Sequence, residues 1–70
     1  MGLKEKLEAN KKLQNVIDSI ISIDEKLLDA SKELEKDITN TEVLERMKSL
    51  KEEKESLNQE SKKLEAKLFS

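Results

Sequence analysis

Carboxylates are the side chains best equipped for chemistry in this sequence. Asp24–Glu25 and Glu52–Glu53–Glu55 each gather acidic groups over a few residues. Paired carboxylates can share general acid–base work when burial and neighbours drive their pKa values apart. That requires a cleft to hold a substrate between them, and these residues fall mostly on the solvated side of a helical repeat. Ser31 and Ser61 have no accompanying base to activate them. The chain has no Cys and no His, which removes disulfides and the residues of most zinc sites. Its one Gly is Gly2, so neither a phosphate-cradling loop nor the sharp turn of an EF-hand is available. The expectation is a non-enzyme with no catalytic residue, no metal, no cofactor and no small-molecule substrate.

One further charged pair stands out. Asp24 and Lys54 each interrupt an otherwise apolar repeat, and their numbers add to 78. A charge pair in a helical seam is best attested as a register device, costing some stability to disfavour slippage.

The elements that position these groups follow from composition and period. Of the 70 residues 43% are charged, Pro, Trp and Tyr are absent, and there is one Phe. Such a chain lacks the bulk for a three-dimensional core and favours long helices. Leu13, Ile20, Leu27 and Leu34 recur every seven residues, as do Val43, Leu50, Leu57 and Leu64. Taking these as the d positions of two heptad series, the a positions are Asn10, Ile17, Asp24, Ser31 and Ile38, then Met47, Lys54, Ser61 and Leu68. Leu34 and Val43 are nine residues apart, so the two series do not join into one rod.

The break falls at KDITNTEVLE. Thr39 and Glu42 match a capping box, with Ile38 and Val43 as its hydrophobic staple and Thr41 as a second possible cap. The sequence therefore predicts an all-α fold: an antiparallel, coiled-coil-like two-helix hairpin forming a single domain over residues 1–70. Its first helix spans about 3–37, its turn about 38–41 and its second helix about 41–69. Facing residues should have numbers that add to about 77–81, with mixed a–d layers favouring the larger value.

Residues 16–28 read VIDSIISIDEKLL, with seven aliphatic side chains. They span an arc of roughly 160° at 100° per residue, wider than one neighbouring helix covers. The second helix instead carries mostly charge beside its seam, Leu44 excepted. Leu7, Val16, Ile20, Ile21, Ile23, Leu27 and Leu28 are thus the expected surface for a partner or for dimerisation, because contiguous exposed apolar area usually marks an interaction site. Pairing into a four-helix bundle, with a second copy or with another protein, would satisfy it. Promiscuous grooves favour Met, and Met47 is the only one beyond the first residue, which points to one fixed partner.

Charge narrows the partners further. The overall balance is −2, but residues 1–12 with 60–70 balance to +3 and residues 13–59 to −5. A hairpin collects the basic stretches at its open end. A single Arg, and no aromatic except Phe69 to stack on bases, weigh against nucleic acid. The acidic residues beside the apolar stretch weigh against an anionic lipid surface. No apolar run approaches the ~18 residues of a membrane span. The start MGLKEKLEAN lacks an apolar secretory core, and Lys6 departs from the myristoylation pattern. A cytoplasmic location is the resulting expectation. In length and topology the chain resembles small secretion co-chaperones, Rop-like dimers and short phage or scaffold proteins. The resemblance implies an adaptor, co-chaperone or inhibitor that binds a helical surface. The alternatives are a self-assembling homodimeric scaffold and, more distantly, a Rop-like RNA-binding dimer.

Overall fold

Asp37 ends the first helix without glycine. In the computed structural model, which describes residues 2–70, two helices run Leu3–Lys36 (α1) and Thr41–Leu68 (α2). Asp37 leaves α1 in an extended conformation, and its amide donates to the Leu34 carbonyl at 3.1 Å. The Asp37 carbonyl in turn accepts from the Asn40 amide at 3.1 Å, closing a four-residue turn. Asp37 Oδ1 accepts both the Thr39 amide at 3.0 Å and the Thr39 hydroxyl at 2.6 Å. This is an Asx-turn, in which a side chain takes the place of a backbone acceptor. No described residue has a positive φ, so a turn of this type has no need of glycine.

Asn40 then caps α2, its side-chain oxygen accepting from the Val43 amide at 3.3 Å. Asn ranks among the best N-caps because its short amide oxygen reaches the otherwise unpartnered donors of the first turn. The capping box expected at Thr39 and Glu42 does not form. Asp37 takes the Thr39 hydroxyl, Asn40 fills the cap, and Thr41 becomes the first helical residue. The staple is absent too: Ile38 sits at the tip of the turn, 76% exposed.

The helices pack antiparallel, with the first turns of α1 running on past the end of α2, and no strand occurs among the described residues. At 1.5 Å per residue, the 34 residues of α1 extend about 51 Å, which accounts for the 52 Å long dimension of the molecule. The two short dimensions are 14 and 13 Å. The Cα radius of gyration is 16.0 Å, against roughly 11 Å for a compact globule of this length. The molecule is a rod one helix pair thick.

The seam draws on two interleaved series from each helix. α2 supplies Val43, Leu50, Leu57 and Leu64 alternating with Met47, Lys54, Ser61 and Leu68, each buried or half-buried. α1 supplies Leu13, Ile20, Leu27 and Leu34 alternating with Ala9, Val16, Ile23 and Ala30. This second series of α1 differs from the one read from sequence. Asn10, Asp24 and Ile38 are exposed, and Ile17 and Ser31 are half-buried at the edge. Because the Leu13, Ile20, Leu27 and Leu34 series stays in the seam, α1 is turned by half of one residue step, about 50°, from the expected orientation. Ala9, Val16, Ile23 and Ala30 contain no polar atom beyond the backbone, so burying them strands nothing. Burying Asn10 or Asp24 would need a compensating partner.

Towards the open end, Ala9, Leu13, Val16 and Leu64 form one buried cluster with Ile17, Ile20, Leu57 and Leu68 packed against it. Leu13 and Leu64 meet there, a pairing that belongs to the smaller sum of the expected range. The two cross-helix ion pairs, Asp24–Lys54 and Glu33–Arg46, have numbers adding to 78 and 79.

Candidate functional site

The carboxylates with which a catalytic reading would begin do not converge. Asp24, Glu25, Glu52, Glu53 and Glu55 are all exposed, and no group of three or more His, Cys, Asp or Glu among the described residues could hold a metal ion. Surface depressions are open grooves along the helix flanks, such as the one lined by Leu44, Met47, Lys48, Lys51, Glu52 and Glu55. No helix among the described residues is long and apolar enough to cross a membrane.

Asp24 and Lys54 do meet. The Lys54 ammonium donates to Asp24 Oδ1 at 2.7 Å, with the Lys54 side chain 35% and the Asp24 side chain 50% exposed. Lys54 reaches out of the seam along its alkyl stem, while Asp24 waits at the edge. The pair is therefore a half-solvated clamp on the flank instead of a charge buried mid-seam. Arg46 and Glu33 form a second clamp at 3.1 Å on the opposite flank. Within its own helix the spacing offers Arg46 only Glu42, one turn earlier; a cross-helix partner on the flank becomes visible only once the register is known.

Of the seven residues expected to form the interaction surface, four serve the hairpin itself. Val16 and Ile23 are buried in the seam, and Ile20 and Leu27 are half-buried there. Assigning Val16 and Ile23 to a partner is thus corrected: the rotation of α1 turns both onto α2. Leu7, Ile21 and Leu28 remain exposed.

The three exposed residues belong to a longer pattern. Leu3, Leu7, Asn10, Gln14, Ile17, Ile21, Asp24, Leu28 and Ser31 follow the alternating 4–3 spacing of a second heptad stripe. It lies one residue step from the buried stripe, so about 100° around the helix. On α2 the corresponding flank is Leu44, Lys48, Lys51, Glu55, Asn58, Lys62, Glu65 and Phe69. In an antiparallel pair these two flanks lie on the same side of the hairpin. Large exposed apolar side chains occur at Leu3, Leu7, Ile21, Leu28, Ile38, Leu44 and Phe69. All except Ile38, at the turn tip, fall on this one side. The other side carries Glu8, Lys12, Asn15, Ser19, Lys26 and Glu33 from α1, and Arg46, Glu53, Glu60 and Lys67 from α2, with no large apolar residue. The hairpin is two-faced.

Comparison with known protein families, with curated proteins and with solved structures finds no match.

Geometry alone therefore describes the site. The apolar face is built by α1 along its centre and ends, with Leu44 and Phe69 added by α2 near its two ends. Leu3, Ile17 and Phe69 were missed as members. The signal that could have found the first two was the continuation of the 4–3 spacing backwards from Ile21. Phe69 required knowing which way the end of α2 turns. Among the charged groups, Asp37 is held below the ordinary carboxylate range, first by the Thr39 hydroxyl and then by the Thr39 amide, both donating to it.

Proposed function

We propose that this protein is a small protein–protein interaction module, of the adaptor, co-chaperone or inhibitor kind, that docks a helical surface along the outer stripe of α1. The observation that carries the reading is the exposure of Ile21 (51%) and Leu28 (58%), in a stripe that has helix-packing spacing and lies outside the hairpin's own seam. Burying one Ile or Leu side chain contributes about 1.5–3 kcal/mol, so a matching surface gains substantially from covering four or five that are already half-exposed. A helical partner suits the stripe because knobs spaced at 4–3 intervals fit the holes of another helix. The polar opposite side keeps the assembly in solution.

Changing Ile21 and Leu28 together to lysine tests the reading. The circular dichroism spectrum should be retained, because neither side chain belongs to the seam, and association should be abolished. Association unchanged in a folded Ile21→Lys/Leu28→Lys variant would sink the proposal.

A further inference from the structure

We infer that the occupant of the apolar face is a second copy of this chain, docked face to face and antiparallel about a twofold axis at the level of Ile17, Ile21 and Asn58. The inference rests on the interaction reading above and specifies the partner. Two hairpins stacked on these faces can be related by a twofold axis in only two ways. With the axis along the rods, α1 of one copy lies on α2 of the other, and Ile17, Ile21 and Leu28 meet the Lys51, Asn58 and Glu65 stripe. With the axis across the rods, α1 packs on α1 and α2 on α2, so the apolar stripe meets itself. The second arrangement keeps apolar surface on apolar surface.

The register is chosen by charge. Along its flank α2 reads Lys51, Glu55, Asn58, Lys62, Glu65. Reversed about Asn58, this series is its own complement: Lys51 faces Glu65 of the second copy, Glu55 faces Lys62, and Asn58 faces Asn58. A twofold axis generates each of these opposite-charge pairs twice. Facing residues across the hairpin add to about 77–79, as the ion pairs and the Leu13–Leu64 contact show. The level of Asn58 is therefore that of residues 19–21 on α1, between Ile17 and Ile21 or level with Ile21. The same axis that pairs the charges brings Ile17 of each copy against Ile21 of the other, a cluster of four isoleucines. Shifting the copies by one heptad in either direction sets Glu55 against Glu55 or Lys62 against Lys62. It also moves Ile21 from Ile17 onto Asp24 or onto Asn10.

In the favoured register Gln14 reaches Asp24 of the second copy. Phe69 falls beside Lys48, within a turn of Leu44. On the α1 rim, Lys11 meets Glu25, while Asp18 faces its own copy and Lys4 meets Lys32, so the rim does not favour the register and the α2 flank selects it. The interface has an isoleucine centre on α1, flanked by polar contacts, and a salt-bridged half on α2.

Sedimentation of the full chain from micromolar to hundreds of micromolar tests this, with helicity confirming that each variant is folded. The wild type should approach twice the 8.1 kDa chain mass. Lys51→Glu, which by symmetry converts two attractive pairs into repulsive ones, should weaken the dimer about tenfold. Lys51→Glu combined with Glu65→Lys should restore it to within about twofold of wild type. Glu53→Lys on the opposite side should change nothing. A wild type that stays monomeric throughout overturns the inference; if that monomer binds an added amphipathic helical peptide and Ile21→Lys abolishes the binding, the interaction reading survives without it. A dimer that persists in Ile21→Lys overturns both. A dimer weakened as much by the charge swap as by Lys51→Glu alone overturns the register.

Discussion

Replacing Ile23 with alanine should destabilise the hairpin several times more than replacing Ile21, two residues away on the same helix. Ile23 is 4% exposed and Ile21 51% exposed. Truncating a buried Ile to Ala costs about 2–5 kcal/mol, combining the lost transfer energy with the cavity left behind. At Ile21, where half the side chain is already wet and no enclosed cavity can form, the loss is about 1 kcal/mol. Alanine's better helix propensity offsets roughly 0.4 kcal/mol in both, so it cancels in the comparison. The expected difference is about 2–3 kcal/mol. A chain of this size has roughly 4–10 kcal/mol of stability in total, so Ile23→Ala should lose a third or more of it. The assay is urea unfolding followed by circular dichroism at the lowest workable protein concentration, where association contributes least. The slope against urea should be the same in both variants, leaving the midpoint as the measure. Equal midpoint shifts, or a larger one for Ile21→Ala at dilution, would refute the placement of the seam. A gap that closes as protein concentration rises would show Ile21 becoming buried by association.

Further expectations concern the turn and the clamps. Asn40→Ala removes the cap on α2 and should cost about 1 kcal/mol, whereas Glu42→Gln should change urea stability little because Glu42 makes no capping bond; a larger loss from Glu42→Gln would restore the capping-box reading. A double-mutant cycle on Asp24 and Lys54 should give a coupling of about 0.2–1 kcal/mol that shrinks with added salt, since both side chains are substantially exposed. NMR titration of Asp37 should show a pKa below the ordinary aspartate range, moved back towards it by Thr39→Val. The sign follows from linkage: a depressed folded-state pKa adds stability above the unfolded value, lost as pH falls through the folded one. The turn should therefore loosen only in acid, and a titration unaffected by Thr39→Val would remove the Asx-turn as its cause.

The two helices and the seam of α2 were legible in the sequence because one heptad series there is apolar and every flank but Leu44 is polar. α1 was harder, and the reason is physical. Leu13, Ile20, Leu27 and Leu34 can be completed into a stripe from either side, by Ala9, Val16, Ile23 and Ala30 or by Asn10, Ile17, Asp24 and Ser31. Ile17 and the Asp24–Lys54 complementarity favoured the second choice. The three polar residues in that series argued for the first, as did the two alanines, whose small size lets helices approach. The excess of aliphatic surface was legible, but its division between seam and outer face depends on a rotation of about 50° that period alone leaves open. At the turn, Thr39, Asn40 and Thr41 are three consecutive candidate caps, and a contact between Asp37 and Thr39 settled the contest. Which of the face residues a partner would touch depended on both outcomes.

A rod one helix pair thick has its contacts ordered like the teeth of a zip. Near the turn, Leu34 and Val43 are joined by a short loop; near the other end, Leu13 and Leu64 are separated by most of the chain. Closing the first contact sacrifices little chain entropy, and each later one inherits a loop already shortened by those before it. Folding should start at the Asp37–Asn40 bend and run outward, and thermal fraying should run the other way, with amide protons exchanging fastest around Leu7 and Leu68 and slowest in the middle turns. Leu3 and Phe69 would then spend part of their time on loosened ends, and a docked neighbour would act as a clasp.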